Sequence, residues 1–122
     1  MNTWLAVFVG GGLGSVVRYA ISLGMGRWFM GASFPWATLV SNMLATAIMG
    51  VLVWRFALNA EGKELWWTLL AVGFCGGFST FSAFSMETIQ LMREGLTLLA
   101  WFNVILSVSA CLFILHLIAK AS

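Results

Sequence analysis

Residues 73–85 read Gly-Phe-Cys-Gly-Gly-Phe-Ser-Thr-Phe-Ser-Ala-Phe-Ser, and they sit inside an apolar run from about residue 65 to residue 92. Each glycine weakens a helix interior by about 1 kcal/mol relative to alanine. Here Gly76 and Gly77 are followed almost directly by the hydroxyl residues Ser79 and Thr80. The expectation is a membrane-spanning helix that is broken part-way across. Broken backbone at membrane depth persists only where protein buries it or water lines it. A break of this kind exposes carbonyl groups that can bind a cation and N–H groups that can bind an anion. The plainer alternative is a close helix contact mediated by glycine. After the break, Phe78, Phe81 and Phe84 recur at every third position, along one slowly rotating helix face. Ser79, Ser82 and Ser85 occupy a neighbouring face. Phenyl rings carry a positive edge that can favour an anion. An aromatic stripe is usually core packing, but beside a break and a hydroxyl stripe it also reads as the lining of a pore.

The rest of the chain supplies the bilayer that this reading needs. Of its 122 residues, 61% are hydrophobic and only 8% charged. A soluble domain carries about 25% charge, so there is too little polar surface here to coat a water-soluble globule. At about 20 residues per crossing, the length allows four spans and no separate soluble domain. That excludes a catalytic head, a nucleotide-binding domain or a receptor ectodomain. A net charge of +2 spread over the spans makes no nucleic-acid patch.

The expected spans run over about 4–28, 35–56, 65–92 and 96–119, making one all-α transmembrane domain. Pro35 suits the first turn of the second span, where its missing N–H matters least. Met1-Asn2-Thr3 carries no side-chain positive charge, so the start lacks the basic region of a cleaved signal peptide. Cys75 and Cys111 fall in apolar segments and read as buried free thiols, with an inter-helix disulfide as the alternative. Four crossings place both termini on one side. Arg55, Lys63 and Lys120 then face Arg27 and Arg93 across the membrane. Three positives against two is almost no bias under the positive-inside rule, which permits insertion in both orientations and hence an antiparallel homodimer.

Polar groups inside apolar spans are functional candidates by default. Asn42 lies deep in the second span with Thr38 one turn earlier on the same face; it could join two helices or present donors to a passing ion. Arg18, within the first span, could snorkel to an interface along its long stem or draw anions into a vestibule. Glu87 lies two turns past the break, where it could pair with a basic group. Ser107 and Ser109 in the fourth span could extend the hydroxyl track. His116 falls near the end of that span without a partner histidine, so no metal site is expected there. No nucleophile, base and orienting acid can be assembled, so no enzyme is expected.

The same residues carry a resemblance to a known family. "GGGLGSVVRY" at 10–19, "PWATLVSN" at 35–42 and "GFCGGFSTFSAFS" at 73–85, followed by Glu87, resemble the small bacterial fluoride channels of the Fluc, or CrcB, family. Length and the four-segment order agree as well. The third motif is the discriminating one. The resemblance implies passive export of fluoride across the inner membrane, giving fluoride resistance. It also implies an antiparallel, dual-topology homodimer with two pores and a structural sodium ion at its centre. By position, Asn42 would donate to fluoride, and Phe81 and Phe84 would supply aromatic edges. Backbone carbonyls of Gly76 and Ser79 would hold the sodium. Arg18 corresponds to the family's first-helix arginine and Glu87 to the acid after the aromatic motif. Thr38, Ser82, Ser107 and Ser109 complete the expected pore lining. The family usually has Thr-Thr-Phe-Ser-Thr-Phe where this chain has Ser79-Thr80-Phe81-Ser82-Ala83-Phe84, so a hydroxyl is missing at Ala83.

Fluoride is small and strongly hydrated, and a narrow pore must replace its water with close neutral donors. A central sodium would be held by carbonyl oxygens, the ligands that a hard cation prefers. Two other classes share the size and span count. Small dual-topology multidrug exporters resemble one another in a membrane-embedded glutamate in the first helix, whereas this first span has Arg18 and no acid. A non-transporting assembly subunit would explain the glycines but not the Phe and Ser stripes.

Overall fold

The computed structural model describes residues 1–122. Four helical segments, Thr3–Trp28, Trp36–Trp54, Glu64–Arg93 and Thr97–Ala121, are long and apolar enough to cross a membrane. We label the elements α1 (Thr3–Trp28), α2 (Trp36–Trp54), α3 (64–78), α4 (Phe81–Arg93) and α5 (Thr97–Ala121). The third crossing is therefore two half-helices, α3 and α4. The Asn2 side chain caps α1 by accepting from the Leu5 N–H at 2.8 Å. Pro35 stands just before α2 rather than inside its first turn, with Trp36 the first helical residue. Gly31, Gly62 and Gly95 close the three connections at φ +80, +88 and +82, in the left-handed region that glycine enters without strain.

The break does not fall at the glycines. Gly76 and Gly77 are helical, and the chain becomes extended only at Ser79 (φ −82, ψ 156) and Thr80 (φ −151, ψ 117). Before it, Trp67–Cys75 is wound as a π-helix, which the sequence pattern does not announce. The glycines serve contact instead. A Cβ on Gly10 would run into the Leu69 carbonyl, one on Gly14 into the Phe74 carbonyl, and one on Gly77 into the Gly11 carbonyl. Gly10 and Gly14 on α1 thus face Gly73 and Gly77 on α3, two small-xxx-small pairs that let the backbones touch. The expected choice between a break and a glycine contact resolves into both, the contact ending at Gly77 and the break falling on Ser79 and Thr80.

α2 packs along α5, and α4 closes on α5 near the other end of the bundle. Only 19 of 122 residues are buried, and most of the large apolar side chains face outward. Without a hydrophobic drive from water, the chain relies on close backbone contact and on lipid or further protein for the remainder of its surface. All seven tryptophans (4, 28, 36, 54, 66, 67 and 101) lie within about a turn of a span end. That is the headgroup level, where amphipathic rings are favoured.

Candidate functional site

The site is built around the two extended residues. In a continuous helix the Thr80 N–H would donate to the Gly76 carbonyl. Here it donates to Asn42 Oδ1 at 2.8 Å, and Asn42 Nδ2 donates back to the Thr80 carbonyl at 3.4 Å. The Asn42 amide from α2 thus pairs with both sides of the Thr80 backbone. Of the two roles open to Asn42, joining helices is the one this geometry displays. An amide nitrogen carries two N–H groups, so one remains for another acceptor.

Other side chains finish the break. The Ser79 N–H and hydroxyl both donate to the Cys75 carbonyl, at 2.9 and 2.8 Å. Thr80 Oγ1 accepts from the Ala83 N–H at 3.1 Å, the N-cap of α4. The Ala83 N–H is thereby diverted from the Ser79 carbonyl. Arg18 is half-buried on α1, beside the end of α3. Its Nε donates to the Gly77 carbonyl at 3.1 Å, across from α1. A guanidinium at the C-terminal end of α3 meets the negative end of that half-helix.

Against the break lies an open cleft of about 270 Å³. It brings together Asn42 and Thr46 from α2, Ser79 and Thr80 from the break, Phe81 and Phe84 from α4, and Ser107, Val108 and Cys111 from α5. The Phe81 and Phe84 rings are 5.7 Å apart and tilted by 46°. Phe78 does not share their face. The break turns it inward, where it is buried against Phe74 at 5.6 Å. Both cysteines are free; Cys75 is buried and Cys111 lines the cleft.

The expected hydroxyl track is less continuous than its spacing. Ser85 donates to the Phe81 carbonyl of its own helix at 2.9 Å, and Ser82 is exposed beside Thr80 Oγ1 at 3.3 Å. Neither lines the cleft. Ser109 points outward on α5. Thr38 is buried, and Glu87 has no basic partner, its Oε1 buried without a hydrogen bond. Glu87 borders a separate cleft of about 380 Å³ under the α1–α2 connection.

Sequence reasoning missed Thr46, although Thr38, Asn42 and Thr46 recur every four residues on α2. It also missed a buried polar pair between α4 and α5. Asn103, 1% exposed, donates through Nδ2 to Thr88 Oγ1 at 3.0 Å. An asparagine four residues before Ser107 in an apolar span was the available signal.

A family model described as "CrcB-like protein, Camphor Resistance (CrcB)" matches residues 5–118, nearly the whole chain. The chain belongs to the CrcB family. This CrcB-family chain is 42% identical over 122 residues to a protein of Granulibacter bethesdensis named fluoride-specific ion channel FluC, covering 97% of this chain and 95% of that one. Proteins of the same name from Shewanella pealeana and Shewanella oneidensis are 43% and 44% identical over 119 and 117 residues. In both cases 96% of this chain and 93% of the relative are covered. These CrcB relatives are named as channels and not as enzymes.

Proposed function

We propose that this chain forms a fluoride-selective channel that passively carries fluoride out across the inner membrane and so confers fluoride resistance. The observation that carries the reading is the cleft at the broken third span, where Asn42, Phe81 and Phe84 converge in a chain related over its whole length to fluoride channels. The free N–H of Asn42 and the ring edges are neutral partners for a small anion. Neutral partners let the ion leave again, which conduction requires.

The working unit is an antiparallel homodimer with two pores. Phe81 is 79% exposed although it stands at the cleft, and a second copy laid against that open side would bury it and complete a wall. A structural sodium ion fits the remaining backbone. The donors that would ordinarily cap the Gly76 and Ser79 carbonyls, the Thr80 and Ala83 N–H groups, are bonded elsewhere. A Cβ on Gly76 would meet nothing in its own chain, which leaves that flank open. Carbonyl oxygens are the ligands a hard cation takes. Sodium there would supply positive charge and a link between two chains.

Purified protein in fluoride-loaded liposomes, with a potassium shunt, tests the reading. Fluoride should leave quickly and chloride should not. Phe81→Ile and Phe84→Ile, which keep apolar volume and lose the ring edge, should slow fluoride about two- to tenfold each, as expected for aromatic interactions worth ~0.5–1.5 kcal/mol. Equal chloride efflux would refute selectivity, and no efflux at all would leave the assembly-subunit reading standing.

A further inference from the structure

A chain of hydrogen bonds behind the cleft fixes the direction of one hydroxyl that faces it. The Phe84 carbonyl can only accept, so the Thr88 hydroxyl proton goes to it, at 2.7 Å. Thr88 Oγ1 then has only lone pairs for Asn103, which must turn its NH₂ toward it, at 3.0 Å. That leaves Asn103 Oδ1 facing Ser107, and an amide oxygen only accepts. Ser107 therefore donates its proton to Asn103, at 3.2 Å. Thr88 and Asn103 are 6% and 1% exposed, so water does not offer them other partners. Neither lines the cleft, while Ser107 does.

We propose that Asn103 is a positioning residue that holds the Ser107 proton away from the cleft. Ser107 then acts on the permeation path as an acceptor for water and not as a donor to the anion. This rests on the fluoride reading above and divides the cleft between two walls. Donors to fluoride come from the Asn42 side, and Ser107 opposite takes a hydrogen from a water that accompanies the ion. For Ser107 to donate to fluoride, it would have to abandon a buried amide oxygen that has no substitute donor. Thr88 is the anchor of the relay, because its own proton is fixed by a backbone carbonyl that cannot turn.

The test is a set of liposome flux measurements on Asn103→Leu, Thr88→Val and Thr88→Ser, each with Ser107 intact and with Ser107→Ala. Asn103→Leu removes the acceptor of the Ser107 proton, and Thr88→Val lets the Asn103 amide turn over and offer Ser107 an N–H instead, so both free the Ser107 proton to point at the ion. They should lower the half-saturating fluoride concentration roughly three- to tenfold, the range of a single hydrogen bond, and lower the maximal rate with it. Thr88→Ser keeps the relay hydroxyl and should behave like the unmodified chain. With Ser107→Ala in place, the effects of Asn103→Leu and Thr88→Val on half-saturation should disappear. Effects that persist with Ser107→Ala, or a Thr88→Ser variant as altered as Thr88→Val, would overturn the positioning role even if the unmodified chain conducts fluoride well. No fluoride flux from the unmodified chain would overturn the channel reading and this inference together. Recovery of each variant on size-exclusion chromatography separates altered permeation from failed folding.

Discussion

At the scale of single residues, Asn42 has two tasks that substitution can separate. Its Oδ1 holds the Thr80 N–H, and its Nδ2 supplies donors. Asn42→Ala leaves the Thr80 N–H unbonded at membrane depth, which costs about 1–3 kcal/mol, so recovery of folded protein should fall along with flux. Asn42→Asp keeps an acceptor for Thr80 but has no N–H and brings negative charge, so folded protein should be recovered while fluoride flux is lost. Both variants lack the Nδ2 donor, so recovery of folded protein distinguishes the two; equal recovery would mean that the clamp contributes nothing to folding. Asn42, Phe81 and Phe84 were legible in the sequence because polar and aromatic groups are conspicuous in apolar spans. Arg18 was conspicuous too, but its partner was not. A backbone carbonyl 59 residues away leaves no mark on composition or spacing.

At the scale of elements, the pairing of α1 with α3 depends on glycines that are not interchangeable. Gly14→Val would drive a branched side chain into the Phe74 backbone, and Gly77→Val would do the same against Gly11. Neither neighbour is a flexible side chain that can yield, so both variants should fail to give folded protein. Gly76 is helical at φ −63 and its Cβ would meet open space within the chain, so Gly76→Ala should leave the single chain's fold intact. Recovery of monodisperse protein in detergent ranks the three; a Gly14→Val protein recovered as well as Gly76→Ala would refute the close-contact account. The four spans were legible because hydropathy over 20 residues is a strong signal. The position of the break was less so. Glycine marks where a backbone is permitted to bend or be approached, and here the approach occupies Gly77 while the bend falls on Ser79 and Thr80, which Asn42 and the Thr80 cap hold open. The π-helical winding of Trp67–Cys75 depends on tertiary fit, which periodicity does not carry. Likewise the Ser79, Ser82 and Ser85 stripe was visible, but Ser79 and Ser85 donate back to their own helices.

At the scale of the whole molecule, the proposed antiparallel dimer makes a prediction about sidedness. Single cysteines introduced at Asn59 or Glu61, in the α2–α3 connection, into a chain whose Cys75 and Cys111 are replaced by serine and alanine, should be labelled from both faces of the cell membrane. Labelling from one face alone would contradict it. Adding two lysines to one set of loops should then force one orientation and reduce flux unless a counterpart of opposite bias is co-expressed. The tryptophans bear on the same question. Trp4, Trp54, Trp66 and Trp67 mark the rim that holds the chain termini, and Trp28, Trp36 and Trp101 mark the other. Turned end over end, the chain exchanges a rim of four indoles for a rim of three. Both leaflets offer indoles a comparable berth, so somersaulting the protein leaves its mooring almost unchanged. Whatever decides which way up a copy is inserted, the moorings abstain.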